Sequence, residues 1–386
     1  MTNRLFAEQP VTIFEHVSGL ARAHGAVNLG QGFPDFGWPE DVIARAAEAL
    51  TSGSNQYPSM RGLPELREAV CDHYRLHQGL ALDPGQVTVT SGGTEALTAA
   101  IIGLIEPGDE VLLFQPLYDS YLPIVRQCGG VPKLARLEPP GWRLTEALLD
   151  GLFSDRTKVV IFNNPHNPTG RRFDEAELRL LAAKCVRHDA IALVDEVWEH
   201  LLFDGREHLP LAALPGMAER TVKVGSAGKI FSVTGWKVGW MVAPKRLSGA
   251  IANAHQFITF TTPPNLQSAV AFGLGKDKAY FDQMRAGFAA ARDRLATGLE
   301  QAGFVTLPSE ATYFLCVDLE ASGIAADDLS FCERAVREAG VAAIPLSAFY
   351  AEEPVRHIIR LCFAKREETL AAGIERMRAA RLLFAG

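Results

Sequence analysis

Lys229 is the residue of this sequence with the clearest chemical potential. It lies in a glycine-rich stretch, residues 225–240, that also carries Ser226 and a second lysine, Lys237. The flanking side chains are largely apolar, and burial lowers the pKa of an amine and frees its lone pair. Such a lysine can attack a carbonyl group. The stretch therefore favours Schiff-base chemistry over the alternative, a loop carrying two solvated lysines.

The same stretch is not a nucleotide-binding P-loop. Gly225 to Gly228 is too short for the G-x-x-x-x-G-K-[ST] pattern, and Ile230 stands where Ser or Thr would hold magnesium. A reactive lysine beside hydroxyl and cationic groups suits pyridoxal phosphate. The six cysteines lack zinc-ligand spacing, so we expect reduced core thiols and no metal site.

Short apolar runs place two polar residues at strand ends. Residues 158–163 and 190–195 flank a helical pattern at 174–188, which predicts parallel strands covered on both faces. Asn163 and Asp195 end these strands, and open α/β sheets bind ligands at that edge. The predicted fold class is α/β.

A further strand-turn-helix pattern provides a candidate phosphate site. The β-branched run 86–90 is followed by Ser-Gly-Gly-Thr and an apolar helix that extends to about residue 105. Free N–H groups and the positive end of a helix bind anions. Gly93 and Thr94 are the expected donors.

Several motifs together resemble the class I and II aminotransferases of fold type I. Besides residues 225–240, the family's order is matched by 29–36, 55–57, 163–170, 195–197 and 343–350, so nearly the whole chain is covered. The branch that it most resembles contains kynurenine aminotransferase/glutamine transaminase K and the succinyldiaminopimelate aminotransferases. The resemblance implies a mostly parallel sheet covered by helices, a smaller α+β domain, and a homodimer with shared active sites.

The resemblance also implies a role for each cofactor-binding residue. Lys229 would form the Schiff base with pyridoxal phosphate and later act as the base. Asp195 would keep the ring nitrogen protonated, and Asn167 would donate to the phenolic oxygen. An aromatic residue at Tyr118 would stack on the ring. The remaining cofactor contacts are expected from Gly93, Thr94, Ser226, Lys237 and the partner's Tyr57.

Arg360 is the expected clamp for the substrate carboxylate. It lies in an apolar strand-like run, where an unpaired guanidinium is costly, so a structural ion pair is the alternative. A guanidinium matches a carboxylate with two parallel hydrogen bonds. By resemblance, the other substrate-binding residues are Gly32, Asn167, Phe14 and Phe260, the last from the partner subunit.

Two residues depart from the family's pattern. Trp198 stands where tyrosine is usual, so either its indole N–H donates to the phenolic oxygen or Asn167 is the sole donor. In the second case the pKa of the Schiff base would rise. Lys237 replaces the arginine of many relatives and would bind phosphate as a point charge.

Length and charge limit the remaining possibilities. The 386 residues predict two domains, a large cofactor domain at 38–280 and a small one formed by 1–37 and 281–386. The net charge of −7 and the lack of a basic block argue against nucleic acid as a partner. Without a signal-like N terminus or an apolar run of about 20 residues, we expect a soluble, cytoplasmic protein and no membrane partner.

The predicted function is therefore a pyridoxal phosphate-dependent aminotransferase with a ping-pong mechanism. Its donor would be a large apolar, aromatic or sulfur-containing amino acid, or glutamine, and its acceptor a 2-oxo acid. A cysteine-S-conjugate β-lyase on the same site and a succinyldiaminopimelate aminotransferase are the alternatives. A non-catalytic cofactor-binding regulator is disfavoured, because both Lys229 and Arg360 are present and no basic DNA-binding segment is.

Overall fold

The computed structural model describes residues 2–7 and 10–384. Its strands are Val27–Asn28 (β1), Val87–Ser91 (β2), Glu110–Gln115 (β3), Val131–Arg136 (β4), Thr157–Asn163 (β5), Ile191–Asp195 (β6), Thr221–Ser226 (β7), Val238–Val242 (β8), Val305–Thr306 (β9), Phe314–Asp318 (β10), Val341–Ala342 (β11), Ile344–Pro345 (β12) and Ile358–Cys362 (β13).

A seven-stranded sheet of order β2-β8-β7-β6-β5-β3-β4 forms the centre of the molecule. Strands β7, β6, β5, β3 and β4 run parallel, which confirms the parallel arrangement predicted for β5 and β6. Strand β8 runs antiparallel to both of its neighbours, β2 and β7, which the sequence pattern did not predict. The carboxyl ends of β5, β6 and β7 meet at one edge.

Both faces of this sheet are covered, as the apolar runs predicted. Along β3, Val111 and Leu113 face one apolar cluster, whereas Leu112 and Phe114 face another. All four side chains are buried. Since successive side chains of a strand point to opposite faces, a continuous apolar run requires packing on both sides.

The helices are Arg4–Ala7 (α1), Ile13–His24 (α2), Glu40–Ser52 (α3), Pro64–Gln78 (α4), Gly92–Leu104 (α5), Tyr121–Gln127 (α6), Glu146–Asp150 (α7), Glu175–Arg187 (α8), Ala227–Ile230 (α9), Lys245–Ile258 (α10), Pro264–Leu274 (α11), Lys278–Gln301 (α12), Asp328–Arg334 (α13) and Glu367–Leu382 (α14). None of these described helices is both long and apolar enough to span a bilayer.

A smaller antiparallel sheet of order β12-β13-β10-β9 lies in the C-terminal part of the chain. Strand β1 from the N-terminal segment pairs in parallel with β11, so residues 27–28 are hydrogen-bonded to the C-terminal part. Helix α13 passes into a wider π turn at Ala335–Ala339. The domain boundaries proposed from the sequence stay a prediction.

Candidate active site

One cavity at the carboxyl edge of the large sheet brings together nine of the predicted site residues. The residues predicted to bind the cofactor that line it are Gly93, Thr94, Tyr118, Asn167, Asp195, Trp198, Ser226, Lys229 and Lys237. They come from five separate segments of the chain. The parallel order of β5, β6 and β7 explains the convergence, because each strand delivers the loop that follows it to the same edge.

Lys229 lies on α9, the short helix between β7 and β8. Burial lowers the pKa of its amine from 10.5 to about 8; the nearby Asp195 carboxylate opposes this shift, and the cations Arg360 and Lys237 add to it. The amine donates a hydrogen bond to the Tyr313 hydroxyl at 3.1 Å. A substantial fraction is therefore neutral near pH 8, the form that attacks carbonyls.

The predicted phosphate site is the N terminus of α5. Within the described chain no side chain caps this helix end, so the N–H groups of its first turn face the cavity without a capping partner. Lys237 adopts a left-handed backbone (φ 54°), and its Nζ would lie 3.4 Å from a Cβ added at Gly92. A cation and free N–H groups on one side of a cavity form an anion site.

Asp195 ends β6 as a buried carboxylate with defined partners. The Tyr121 hydroxyl donates to its Oδ2 at 2.6 Å, and burial raises the pKa of the carboxyl while this bond opposes the rise. Asn163 Nδ2 donates to the Asp195 carbonyl at 2.8 Å, which ties the ends of β5 and β6 together. A cationic partner in the cavity would stabilise the ionised carboxylate.

Arg360 lies on β13 and reaches the cavity through Asn167. Its Nη1 donates to Asn167 Oδ1 at 2.9 Å and its Nη2 to the Gly30 carbonyl at 3.1 Å. The amide oxygen of Asn167 is thereby occupied, so its Nδ2 is left to donate elsewhere. Among the described residues Arg360 forms no salt bridge, the alternative considered from the sequence, and its hydrogen-bond partners are neutral oxygens.

Three phenylalanine rings surround the Arg360 guanidinium. Its Cζ lies 3.9 Å from the ring centroid of Phe314, 4.9 Å from that of Phe349 and 5.3 Å from that of Phe14. The side chain is buried, and its Nε is without a hydrogen-bond partner among the described residues. Burial lowers the pKa of the guanidinium to about 10. An anion would restore the lost solvation.

Gly32 lies beside these groups because the N-terminal loop packs closely on the small sheet. A Cβ at Gly32 would come within 2.9 Å of Phe314 Cζ, so a larger residue would displace the loop. The Tyr313 hydroxyl donates to the Gly32 carbonyl at 2.5 Å. The loop is thus fixed to the residue that also contacts Lys229.

Trp198 is buried and faces the lysine with its ring. Lys229 Nζ lies 4.7 Å from the Trp198 ring centroid, and the indole packs edge-on against Tyr313 with centroids 4.4 Å apart. The indole also packs edge-on against Phe314, with ring centroids 5.5 Å apart. These contacts show a cation–π partner for Lys229, whereas the donor role proposed for the indole N–H stays a prediction.

Tyr57 and Phe260 lie away from the cavity, on the surface. The Tyr57 side chain is 83% exposed, and its ring packs edge-on against Phe260 with centroids 5.6 Å apart. Phe257, three residues before Phe260, is 84% exposed. Within one chain these residues do not reach the site, as expected if they serve a partner subunit.

Two residues of the site were missed from the sequence. Tyr121, which orients Asp195, is the first residue of α6 and follows Tyr118 by three residues; the two rings pack edge-on with centroids 5.7 Å apart. Tyr313, which contacts Lys229, precedes strand β10 by one residue. The only signal was its position next to an apolar run, which does not distinguish it from core.

The cavity fits the pyridoxal phosphate expected from the sequence. It combines an amine of lowered pKa, an anion site at a helix end, and a buried carboxylate whose pKa is raised by burial. A group with an aldehyde, a phosphate and a basic ring nitrogen meets all three needs. Lys229, the α5 end with Lys237, and Asp195 would hold it.

The comparisons with known proteins agree with this chemistry. Residues 25–377 match the family model "Aminotransferase class I and II". A methionine aminotransferase of Escherichia coli is 42% identical over 368 residues, covering 95% of each chain. Kynurenine–oxoglutarate transaminase 1 of Homo sapiens is 36% identical over 394 residues, covering 93% of each.

Among solved structures, the N-succinyldiaminopimelate aminotransferase from Mycobacterium tuberculosis superposes with a TM-score of 0.95. It is 41% identical and the match covers 98% of this chain and 100% of that one.

Proposed function

The chain belongs to the class I and II aminotransferases, enzymes that use pyridoxal phosphate, and from this premise we propose its donor substrate and assembly. The donor is an amino acid with a large apolar, aromatic or sulfur-containing side chain, and the acceptor is a 2-oxo acid. We also propose that Lys229, Asp195, Asn167 and Arg360 perform the roles expected from the sequence.

The observation that carries this choice of substrate is the aromatic surrounding of Arg360. The guanidinium binds a carboxylate with two parallel hydrogen bonds, and the Phe14, Phe314 and Phe349 rings around it offer apolar surface. Glutamine also fits this pocket in size, but it would bury an amide against aromatic rings. An apolar or thioether side chain gains free energy there instead.

The charges of the cavity favour the same class. Among the described lining residues the cations are Lys229 and Lys237, and both are assigned to the cofactor. A substrate with a second carboxylate, such as the one in the name of the succinyldiaminopimelate aminotransferase, would require a further cation. The methionine and kynurenine enzymes among the relatives are named for amino donors that carry no second carboxylate.

The residues divide the catalytic work between them. Pyridoxal phosphate, when bound, supplies a ring that accepts the electron pair released when the substrate loses its α-proton. Asp195, oriented by Tyr121, holds the proton on the ring nitrogen. Lys229 removes the proton from the α-carbon, for which a pKa of about 8 suits work near neutral pH.

Arg360 and Asn167 position the substrate. The present bond between Arg360 Nη1 and Asn167 Oδ1 holds the amide in one orientation, with its N–H groups free to donate. A carboxylate in front of Arg360 would be fixed relative to Lys229, and fixed orientation is a large part of the rate gain. The N–H of Gly32 lies on the loop fixed by Tyr313 and would bind the same carboxylate.

The proposed assembly is a homodimer with shared active sites. Tyr57 and Phe260 pack against each other on the surface, and Phe257, three residues before Phe260, is also exposed. Exposed apolar patches of this kind mark interaction sites. In the dimer the partner's Tyr57 would reach the phosphate and the partner's Phe260 the substrate side chain.

The proposed compartment is the cytoplasm. Five of the six cysteines are buried as free thiols, at positions 71, 185, 316, 332 and 362. Free thiols are typical of reducing compartments.

A half-reaction screen tests the substrate proposal. The purified enzyme with pyridoxal phosphate would be mixed with single amino acids, and the absorbance change to the pyridoxamine phosphate form would be followed. Methionine, phenylalanine and kynurenine should convert the cofactor at least about tenfold faster than aspartate or N-succinyl-diaminopimelate. Glutamine should fall between the two groups.

Two results would contradict the proposal. Fastest conversion with the succinylated diaminopimelate would reassign the donor class. Release of pyruvate and ammonia from a cysteine S-conjugate without an oxo acid, in place of amine transfer, would identify a β-lyase.

A further inference from the structure

We propose that Tyr313 is a positioning residue whose hydroxyl orients the free amine of Lys229. Residue 198 cannot do this through a hydroxyl, because it is a tryptophan in this chain. The inference rests on the proposed function of Lys229 as the base. It adds Tyr313 to Lys229, the side chain proposed to move the proton.

The hydrogen bonds around Tyr313 have a definite direction. Its hydroxyl donates to the Gly32 carbonyl at 2.5 Å, and Lys229 Nζ lies 3.1 Å from the same oxygen. A tyrosine hydroxyl has a single proton, which the Gly32 carbonyl occupies. Only a lone pair is left toward the lysine, so Tyr313 accepts the hydrogen bond and the amine donates it.

Tyr313 stays a neutral acceptor over the working pH range. Its ring is buried, and burial raises the pKa of the hydroxyl well above its usual value. The hydroxyl therefore does not compete with Lys229 for protons. Its function is to point the amine in one direction.

Trp198 keeps the tyrosine in place but cannot replace it. The two rings pack edge-on at 88°, and the indole face lies 4.7 Å from Lys229 Nζ. An indole has one N–H donor and no acceptor for an amine. The π face attracts the charged form of the amine, whereas the directed hydrogen bond comes from Tyr313.

Both contacts favour the protonated amine. Burial lowers the pKa of the Lys229 amine; of the titratable groups that face it, Asp195 and the Cys362 thiol raise this pKa, whereas Arg360 and Lys237 lower it. A hydrogen bond to the charged form raises the pKa further. Without the Tyr313 oxygen the amine would lose its proton at lower pH and would be free to rotate about its side-chain bonds.

The test uses the enzyme in its pyridoxamine phosphate form, in which the amine of Lys229 is free while the cofactor is bound. The rate at which acetic anhydride labels Lys229 would be measured against pH by peptide mass spectrometry. Tyr313→Phe should lower the midpoint of this profile by roughly 0.5 to 1 pH unit. The pH profile of the amino-acid half-reaction should move in the same direction.

Tyr350→Phe is the matched control. Tyr350 is also buried, and its hydroxyl donates to a backbone carbonyl, that of Leu137 at 3.4 Å. This variant should leave the labelling midpoint of Lys229 where it is in the wild type.

An unchanged midpoint in Tyr313→Phe would overturn the proposal and leave Tyr313 with a packing role, which would alter stability alone. A midpoint that moves equally in both variants would overturn it as well, because the shift would then follow from the loss of any buried hydroxyl. Labelling requires no turnover, so this outcome is independent of the substrate assignment.

Discussion

At Lys229, the proposed base, burial and the charge of Asp195 act on the pKa of the amine in opposite directions. Desolvation lowers the pKa of its amine to about 8, while the Asp195 carboxylate limits the shift. The Trp198 ring at 4.7 Å supplies a further contact that favours the charged form. The neutral, reactive amine is thus available near pH 8, but burial of the lysine lowers the stability of the folded chain.

This cost predicts that Lys229→Met stabilises the chain when no cofactor is bound. As pH falls, the unfolded chain takes up the proton near its ordinary pKa of 10.5, and the folded chain only near 8. The stability of the wild type should therefore decrease as the pH falls from 10.5 to about 8, and it should stay low below pH 8. Urea unfolding at pH 7 should show a higher midpoint for the variant.

The difference should shrink as the pH is raised toward 10.5. Lys278→Met is the control, because the Lys278 side chain is exposed and its nearest carboxylate, Asp282, is 3.5 Å away. This change should shift the unfolding midpoint little at either pH. A Lys229→Met chain that is less stable than the wild type at pH 7 would contradict the assigned pKa.

At the level of elements, the glycines of residues 225–240 permit close backbone contact. A Cβ at Gly239 would come within 2.7 Å of the Gly92 carbonyl carbon and 2.9 Å of the Gly93 nitrogen. A Cβ at Gly225 would come within 2.4 Å of Trp240 Nε1 and 2.5 Å of the Tyr74 hydroxyl. The positive φ angles of the stretch belong instead to Ser232 and Lys237. The glycines therefore let β8 lie directly against the start of α5.

Gly239→Ala should weaken cofactor binding by disturbing this contact. Backbone atoms cannot move aside as side-chain ends do, so we expect a loss of about 1–3 kcal/mol in the free energy of unfolding. The affinity for pyridoxal phosphate, measured by absorbance titration, should fall with it, because the displaced atoms belong to the phosphate site.

Gly235→Ala is the matched control within the same stretch. A Cβ at Gly235 would meet no atom within 4 Å. The free energy of unfolding of this variant and its affinity for pyridoxal phosphate should stay close to those of the wild type. Equal losses in both variants would show that flexibility of the stretch matters more than the contact at Gly239.

At the scale of the whole molecule, the site joins three parts of the chain that are distant in sequence. Gly32 comes from the N-terminal loop, Asp195 and Lys229 from the large sheet, and Arg360 and Tyr313 from the small sheet or its edge. Movement of the small sheet relative to the large one would therefore open or close the substrate pocket.

The proposed dimer predicts complementation between two defective chains. Lys229→Ala removes the base from its own site, and Tyr57→Ala weakens the phosphate contact of the partner's site. A mixed dimer holds one site with both residues intact, so co-expressed chains should recover roughly a quarter of wild-type activity. Aminotransferase assays of the purified mixture, with sedimentation to establish the dimer, measure this.

Activity of the mixture that equals the average of the two single variants would contradict the shared site. The reference is a mixture of the Lys229→Ala chain with the Lys278→Met chain, which keeps both Lys229 and Tyr57. That mixture should show the activity of its intact sites alone.

Local chemistry determined much of the fold. Helix α4 forms at residues 64–78 because Pro64 suits a first turn and Gly79 adopts the left-handed conformation that ends a helix. The parallel strands β5 and β6 followed from their apolar runs. The family and its cofactor followed from Lys229 and the motifs around it, and the comparisons confirm both.

Tertiary structure alone decided which neighbours these residues have. Tyr121 meets Asp195 across 74 positions and Tyr313 meets Lys229 across 84, distances over which no sequence period operates. Strand β8 pairs antiparallel because the chain turns back after α9, which apolar patterning cannot indicate. The sequence by itself was enough to predict Lys229 as the reactive residue, since that prediction needs only its type and its flanks. The partner that directs its amine depends on packing between sheets, and only the folded chain brings that partner within 3.1 Å.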